Sequence, residues 1–215
     1  MNGNCDSKKT CVIVASGELG NATFLQQYLD GFVIFVDGGL NYVDALGVEP
    51  DLIIGDMDSF KGDLSAYRCK VIVHDTQKDD TDTGLAVKYA LENGYNDIVL
   101  IAGTGGRLDH TFANIQIMAY AAEKGVDIKM VKDDTIIYVT NKSPIVFDRP
   151  KQKYVSVFAF SEKVTGVNLM GMKYPLVDAV LENTFPVGVS NECISAQCGI
   201  YFNSGTICVM FCEKL

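Results

Sequence analysis

A mostly parallel α/β sheet flanked by helices, followed by a small β-sandwich, is the architecture this sequence points to. Three observations carry it. Up to about residue 140, short β-branched runs alternate with segments of helical spacing. Beyond that point the runs stay strand-like, and no convincing helix of about ten residues follows. The charge divides at the same place: residues 1–141 hold 21 Asp and Glu against 11 Lys and Arg, whereas residues 142–215 hold 6 against 7.

The elements follow in order. "KTCVIVASG" is a buried strand ending at Gly17, and "NATFLQQYL" has helical spacing. "FVIFVDGG" is a second strand, followed by a short helix, "LNYVDALG", closed by Gly47. "PDLIIGD" and "KVIVHD" are the third and fourth strands. "TDTGLAVKYALENG" opens on capping residues and stops at Gly94, as a helix does. "DIVLIAG" is a fifth strand, "LDHTFANIQIMAYAAEKG" a long amphipathic helix, and "VDIKMVKDD" a last strand. Near-continuous apolar strands between helices imply a Rossmann-like sheet covered on both faces. "TIIYVTN", "SPIVF", "KYVSVFAF", "VTGVNLMG", "DAVLEN", "ISAQCGIYF" and "TICVMFC" then read as strands of an all-β unit, punctuated by Gly, Pro, Asn and Asp. The division falls at 1–141, the α/β unit, and 142–215, the β-sandwich. The boundary lacks linker composition, so the two units are expected to pack together.

Composition removes several function classes. Hydrophobic residues make up 48% and charged residues 21% of 215, an ordinary globular balance. A formal charge of −9 disfavours a nucleic-acid surface or a polybasic membrane patch. Seven cysteines form no CxxC pair and have only two histidines to join them, which disfavours zinc. Reduced thiols and a cytoplasmic location are expected, with Cys208 and Cys212 as strand residues. "MNGNCDSKKT" carries no apolar stretch of signal-peptide length, and no run approaches the roughly 20 apolar residues of a membrane span.

Seventeen of the nineteen aspartates lie in the first unit. Three groups of them follow strands: Asp37 after "FVIFV", Asp56 and Asp58 in "GDMDSF", and Asp79, Asp80 and Asp82 in "KDDTDT". Ligands of parallel sheets sit beyond the carboxyl ends of the strands. If these strands are neighbours, the acids converge there. Two carboxylates about 5 Å apart repel by roughly 3 kcal/mol at an effective dielectric near 20. A divalent ion reverses that sign, and all-oxygen donors suit Mg²⁺ or Mn²⁺. Taken singly, each Asp is equally accounted for by helix capping or a turn; it is the repetition at three strand ends that favours a cation.

Phosphate also needs donors. "GTGGRLDH", residues 103–110, lies between a strand and a helix. Its glycines, among them Gly105 and Gly106, let backbone N–H groups approach an anion at a helix N-terminus, and Arg107 adds a planar fork. Lys78 beside the acidic run could do similar work. The blander reading of such a turn is tight packing; it carries less weight for the "GGR" turn than for "GELG" after the first strand, where packing and function stand even. His110 is a binding contributor or a capping residue, and His74 reads as structural. There is no Walker GxxxxGK[ST] loop and no GxGxxG fingerprint after the first strand.

Together "DGGLNYVDALGVEPDLIIGDMDS", "KDDTDTGLAVKYAL", "GGRLDHTFANI" and "GVSNE" resemble thiamine pyrophosphokinase (thiamin diphosphokinase) of bacterial length, in the family's order, from about residue 10 to the C-terminus. The resemblance implies transfer of diphosphate from ATP to the hydroxyethyl arm of thiamine, giving AMP and thiamine diphosphate. It also implies Mg²⁺ as cofactor, an α/β domain followed by a β-sandwich, and a homodimer with thiamine bound between subunits. By motif, Asp56, Asp58 and Asp82 are implied as metal ligands with Asp37 assisting. Lys78, Gly105, Gly106, Arg107, Asp109 and His110 are implied on the nucleotide side, with Gly38 and Gly39 allowing close backbone approach. Ser190 and Asn191 match the substrate-side motif of the β unit, a stretch that reads otherwise as a β-turn. With no Trp in the chain, an aromatic partner for the thiazolium would be Tyr or Phe. Asp56, Asp58, Asp82 and Arg107 are the expected catalytic set, Asp82 also being the candidate to take the alcohol proton. The alternatives are a diphosphokinase acting on another primary alcohol such as a hydroxymethylpterin, a non-enzymatic nucleotide or thiamine sensor, and, more weakly, a Rossmann oxidoreductase.

Overall fold

The first strand shows why the sheet is buried. In the computed structural model, which describes residues 8–74, 80–133, 135–151 and 153–213, β1 (Thr10–Val14) has Cys11, Val12, Ile13 and Val14 fully buried. A strand covered on both faces needs apolar side chains on both, and β-branched residues suit the pleat. β5 (Asp97–Ile101), buried throughout, pairs with β1 in parallel, Ile13 opposite Leu100. On the other side of β1 lie β2 (Phe32–Val36), β3 (Leu52–Gly55) and β4 (Lys70–Val73), all parallel. β6 (Asp127–Lys132) lies parallel beyond β5. The strand order β6-β5-β1-β2-β3-β4 reverses direction at β1. The carboxyl ends of β1 and β5 therefore open a crevice of the kind in which doubly wound sheets bind ligands.

The helices cover this sheet. The Thr81 hydroxyl accepts from the Gly84 N–H (3.1 Å) and so caps α3 (Asp82–Glu92), which buries Ala86, Val87 and Ala90. α4 (Leu108–Glu123) buries Met118, Ala119, Ala121 and Ala122. Both pack on one face of the sheet, over Ile13, Ile34, Ile98 and Leu100. The opposite face, with Val12, Phe35 and Val99, is covered by Leu25, Leu40 and Leu46. These come from α1 (Ala22–Leu25), capped by Asn21, from a 3₁₀ turn over Asp37–Tyr42, and from α2 (Val43–Leu46), which stops at Gly47 with φ 64. The two short helices expected from the sequence are thus part α-helix and part 3₁₀.

The sheet does not end at β6. β7 (Thr135–Thr140) adds antiparallel, and β14 (Ile207–Cys212), β9 (Tyr154–Ala159) and β12 (Gly188–Asn191) extend it to ten strands. A second sheet, in the order β11 (Leu176–Glu182), β10 (Lys163–Met170), β13 (Gln197–Tyr201), β8 (Ile145–Asp148), packs against this extension. Val155, Val157, Val209 and Phe211 of the long sheet meet Val164, Leu169, Leu181 and Ile200 of the short one. The sandwich therefore borrows one of its sheets from the α/β layer. β12 was not expected, because four residues reading GVSN carry no apolar alternation. Among the described residues no helix is long and apolar enough to cross a membrane.

Candidate active site

The loops that leave β1, β2, β3 and β5 surround a cleft of about 770 Å³, within the size range of small-molecule sites. The chain after β2 and β3 and the start of α3 contribute Asp37, Asp56, Asp58 and Asp82 to its wall; the β5–α4 loop contributes Gly105, Gly106, Arg107 and His110. Since β1 lies between β2 and β5, the acids and the glycine loop flank its carboxyl end.

The acidic side is built by unusual backbone. Asp37 (φ 45) and Met57 (φ 62) are left-handed without being glycine, a conformation that costs energy and recurs at functional sites. Gly55 has φ 153, and a Cβ there would lie 3.0 Å from the Asp37 Cβ. Glycine at the end of β3 is therefore what lets Asp37 approach. The Ser59 N–H donates to Asp37 Oδ1 (3.3 Å), the Asp58 N–H to Asp56 Oδ1 (3.2 Å), and the Ser59 hydroxyl to Asp58 Oδ1 (2.7 Å). As a result, one carboxylate oxygen from each of Asp37, Asp56 and Asp58 lies within 4.8 Å of the others. At that separation each pair repels by about 3 kcal/mol at an effective dielectric near 20. Three hard oxygen donors with no thiolate or imidazole in the group fit Mg²⁺, which completes its shell with water and phosphate.

The glycine side is pinned from beneath. Gly105 (φ 86) and Gly106 (φ 63) are successive left-handed residues, a turn that glycine makes without a steric penalty. Asn114, only 6% exposed, donates from Nδ2 to the Gly103 carbonyl (2.8 Å) and fixes the start of the loop. The Tyr42 hydroxyl donates to the Gly17 carbonyl (2.6 Å), and the Gly17 N–H donates to the Ala102 carbonyl (2.8 Å), tying the β1 loop to the β5 loop. α4 opens at Arg107 with no side-chain cap, which leaves its first N–H groups for another acceptor. Arg107 points its fork at Asp109: Nε to Oδ1 is 3.2 Å and Nη2 to Oδ2 is 2.5 Å. That contact raises the Arg107 pKa further and holds the Asp109 carboxyl below its ordinary range.

Comparison with known proteins then decides the family. The thiamin pyrophosphokinase catalytic domain matches residues 26–130, and the thiamin pyrophosphokinase vitamin B1 binding domain matches residues 135–207. The chain belongs to the thiamin pyrophosphokinase family. It is similar to the thiamine pyrophosphokinase of Bacillus subtilis (strain 168), 28% identical over 207 residues, or 93% of this chain and 96% of the relative. A crystal structure of the Bacillus subtilis protein superposes with a TM-score of 0.87, covering 96% of this chain and 100% of that one. A thiamin pyrophosphokinase from Geobacillus thermodenitrificans gives a TM-score of 0.83 at 26% identity, covering 95% and 98%.

Within this family framework, the residues singled out from sequence divide into three groups. Asp37, Asp56, Asp58, Asp82, Gly105, Gly106, Arg107 and His110 all line the one cleft. The geometry exchanges the emphasis between two of them. Asp37 is a full member of the three-carboxylate group, whereas Asp82, at the first position of α3, lies outside it. A second group supports the cleft without lining it. Asp109 acts through Arg107, and Gly39 lets the backbone pass the end of β1, where a Cβ would strike the Val14 carbonyl. Gly38 packs between Ser16 and Ser59. The third group lies elsewhere. Asp80 is paired with Lys88 at 2.6 Å. Asn191 is buried, accepts from the Tyr174 N–H (2.9 Å) and donates to the Tyr174 carbonyl (2.7 Å), while the Ser190 N–H donates to the Ser156 hydroxyl (3.0 Å). β12, which carries both, is at the far end of the sheet from β3, so one chain does not bring them to the cleft. Lys78 and Asp79 lie outside the described residues. Sequence reasoning missed Asn114, Tyr42, Thr83, Ser16, Ser59 and Glu18, which also line the cleft.

Proposed function

We propose that this chain transfers the diphosphate group of ATP to the hydroxyethyl arm of thiamine, giving AMP and thiamine diphosphate. One observation carries the reading: in a member of this family, a three-carboxylate group and a glycine–arginine loop share a single cleft at the sheet's switch point. In such a transfer the alcohol oxygen attacks the β-phosphorus and AMP leaves, and the protein contributes mainly position and charge. Asp37, Asp56 and Asp58 would hold Mg²⁺. When bound, that ion neutralises phosphate oxygens and draws charge from the β-phosphoryl group. The Gly105 and Gly106 N–H groups and the start of α4 receive phosphate oxygens. Arg107, turned from Asp109, meets the charge that builds on the leaving group. Asp82, on the same wall but apart from the other three acids, is assigned the proton of the attacking hydroxyl.

The second unit completes the site from another copy. Its edges expose apolar side chains, among them Val177 (81% exposed), Phe185 (69%) and Val189, a density that suits burial in a homodimer. That arrangement would let the β12 region of one copy serve the cleft of another, which explains why Ser190 and Asn191 lie remote within one chain. The free thiols Cys11, Cys193, Cys198 and Cys208 are buried, which favours a reducing cytoplasm. The matched family supports thiamine over a pterin alcohol, and an enzyme over a sensor. Incubation with ATP, Mg²⁺ and either thiamine or a hydroxymethylpterin tests the reading. AMP and thiamine diphosphate are expected in equal amounts with thiamine alone; AMP released only with the pterin would refute it. Sedimentation at micromolar concentration tests the dimer, and a monomer would remove the shared site.

A further inference from the structure

The "GELG" loop after β1 holds an acid where an anion-binding cleft should least tolerate one. Glu18 lines the cleft. Its carboxylate accepts from Lys132 Nζ (2.5 Å), at the end of β6, and that ammonium, with the Gly106 N–H as a lesser cause, holds it below its ordinary range. Its side chain lies flat on Gly105, where an added Cβ would meet the Glu18 Cδ at 2.5 Å. The loop does not need this carboxylate to hold its place. The Gly17 N–H reaches the Ala102 carbonyl (2.8 Å), the Glu18 N–H reaches the Thr104 carbonyl (2.8 Å), and the Asn21 N–H reaches Asp133 Oδ1 (2.6 Å). Four other carboxylates, Asp37, Asp56, Asp58 and Asp82, line the same cleft, so a fifth adds repulsion toward any polyphosphate. Both described cations of the glycine-loop region are engaged by acids, Arg107 by Asp109 and Lys132 by Glu18.

We propose that the Glu18 carboxylate is an internal stand-in for a phosphate group of the nucleotide. It lies over the glycine turn and, on ATP binding, yields that place and Lys132 to the incoming phosphate. Lys132 is thereby assigned as a phosphate-binding residue. A carboxylate and a phosphate oxygen compete for the same ammonium and for the same place against a glycine turn. The exchange keeps Lys132 paired in both states, so neither state leaves its ammonium without a counter-charge. The inference rests on the reading of this cleft as the ATP site and adds the residue that guards it.

The test uses the full chain and two probes, inorganic tripolyphosphate by calorimetry without thiamine, and ATP in the complete reaction. Glu18→Ala is expected to tighten tripolyphosphate and lower the KM for ATP by about threefold, with the KM for thiamine unchanged. Lys132→Met is expected to weaken both by about tenfold while leaving adenosine binding as it was, and Lys132→Arg restores most of the loss. Removing Glu18 in the Lys132→Met background should recover less than it gains alone. If Glu18→Ala and Lys132→Met weaken tripolyphosphate equally, the pair is a structural strut and the inference is overturned. If wild type binds tripolyphosphate, and more tightly without Glu18, yet makes no thiamine diphosphate, the inference stands and the proposed function falls. If wild type binds neither probe, both fall.

Discussion

Asp56→Asn separates a functional acid cluster from a structural one, because the two demand opposite signs. The Asp56 side chain accepts from the Asp58 N–H through Oδ1, and an asparagine keeps that acceptor. The substitution therefore removes a charge and little else. Asp56 takes part in two of the three contacts within the 4.8 Å group. Each is worth about 3 kcal/mol of repulsion at a dielectric near 20. Asp58 is exposed and Asp56 partly so, and solvent reduces each contact to about 1 kcal/mol or less. The metal-free variant is then expected to be more stable than wild type by up to about 2 kcal/mol, or up to about 4–8 °C in Tm for a chain of this length. Activity moves the other way, falling by at least about a hundredfold as one holder of the ion is lost. The assays are thermal unfolding in EDTA and in Mg²⁺, alongside AMP release. Mg²⁺ should raise the wild-type Tm, by about 2.7 kcal/mol of stability at a hundred times its Kd, and raise that of the variant far less. A variant that melts lower in EDTA yet turns over normally would show that the aspartates serve as turn formers.

Other outcomes follow from named contacts. Arg107→Ala should lower kcat/KM for ATP by about tenfold or more with little change in stability, since its fork is exposed and its ion-pair partner among the described residues is Asp109; an unchanged kcat/KM for ATP would remove it from the site. Asn114→Ala leaves the buried Gly103 carbonyl without its donor and should cost about 1–3 kcal/mol in urea unfolding, with a rise in the KM for ATP as the loop slackens; loss of stability alone would limit Asn114 to the core. Burial pushes the Cys11 and Cys208 thiols up to about 12. Both should resist iodoacetamide at pH 8 in the native chain and react once it is unfolded. Because the folded thiols keep their protons where unfolded ones ionise, stability should fall as pH rises above about 9; flat stability from pH 9 to 11 would contradict that burial.

The parallel layer was legible because its signals are local. β1 and β5 are β-branched runs buried on both faces, and α3 announces itself with Thr81 and its apolar spacing. The cleft was legible in outline for a related reason: Asp37, Asp56 and Asp58 follow apolar runs, and the ends of neighbouring parallel strands share one edge. What the residues could not reveal was pairing at a distance. β7 pairs with β14, Thr140 opposite Ile207, so the continuity of the ten-stranded sheet is a contact between segments far apart in the chain. β12 carries too little apolar pattern to register, and its place at the sheet's far edge is what separates Asn191 from the aspartates. Asn114 did leave a trace, a polar residue within a helix whose neighbours on the buried face are Met118 and Ala121. Glu18 left none, since the glycines around it dominate the reading of its loop and its partner Lys132 lies 114 residues away.

The central claim is that a diphosphate group, intact, passes from ATP to thiamine in this cleft. ATP labelled at the β-phosphorus, incubated with Mg²⁺, thiamine and the chain, tests it directly. The account predicts label in thiamine diphosphate and unlabelled AMP in equal amount. Labelled ADP together with thiamine monophosphate, which requires attack at the γ-phosphorus, would contradict it.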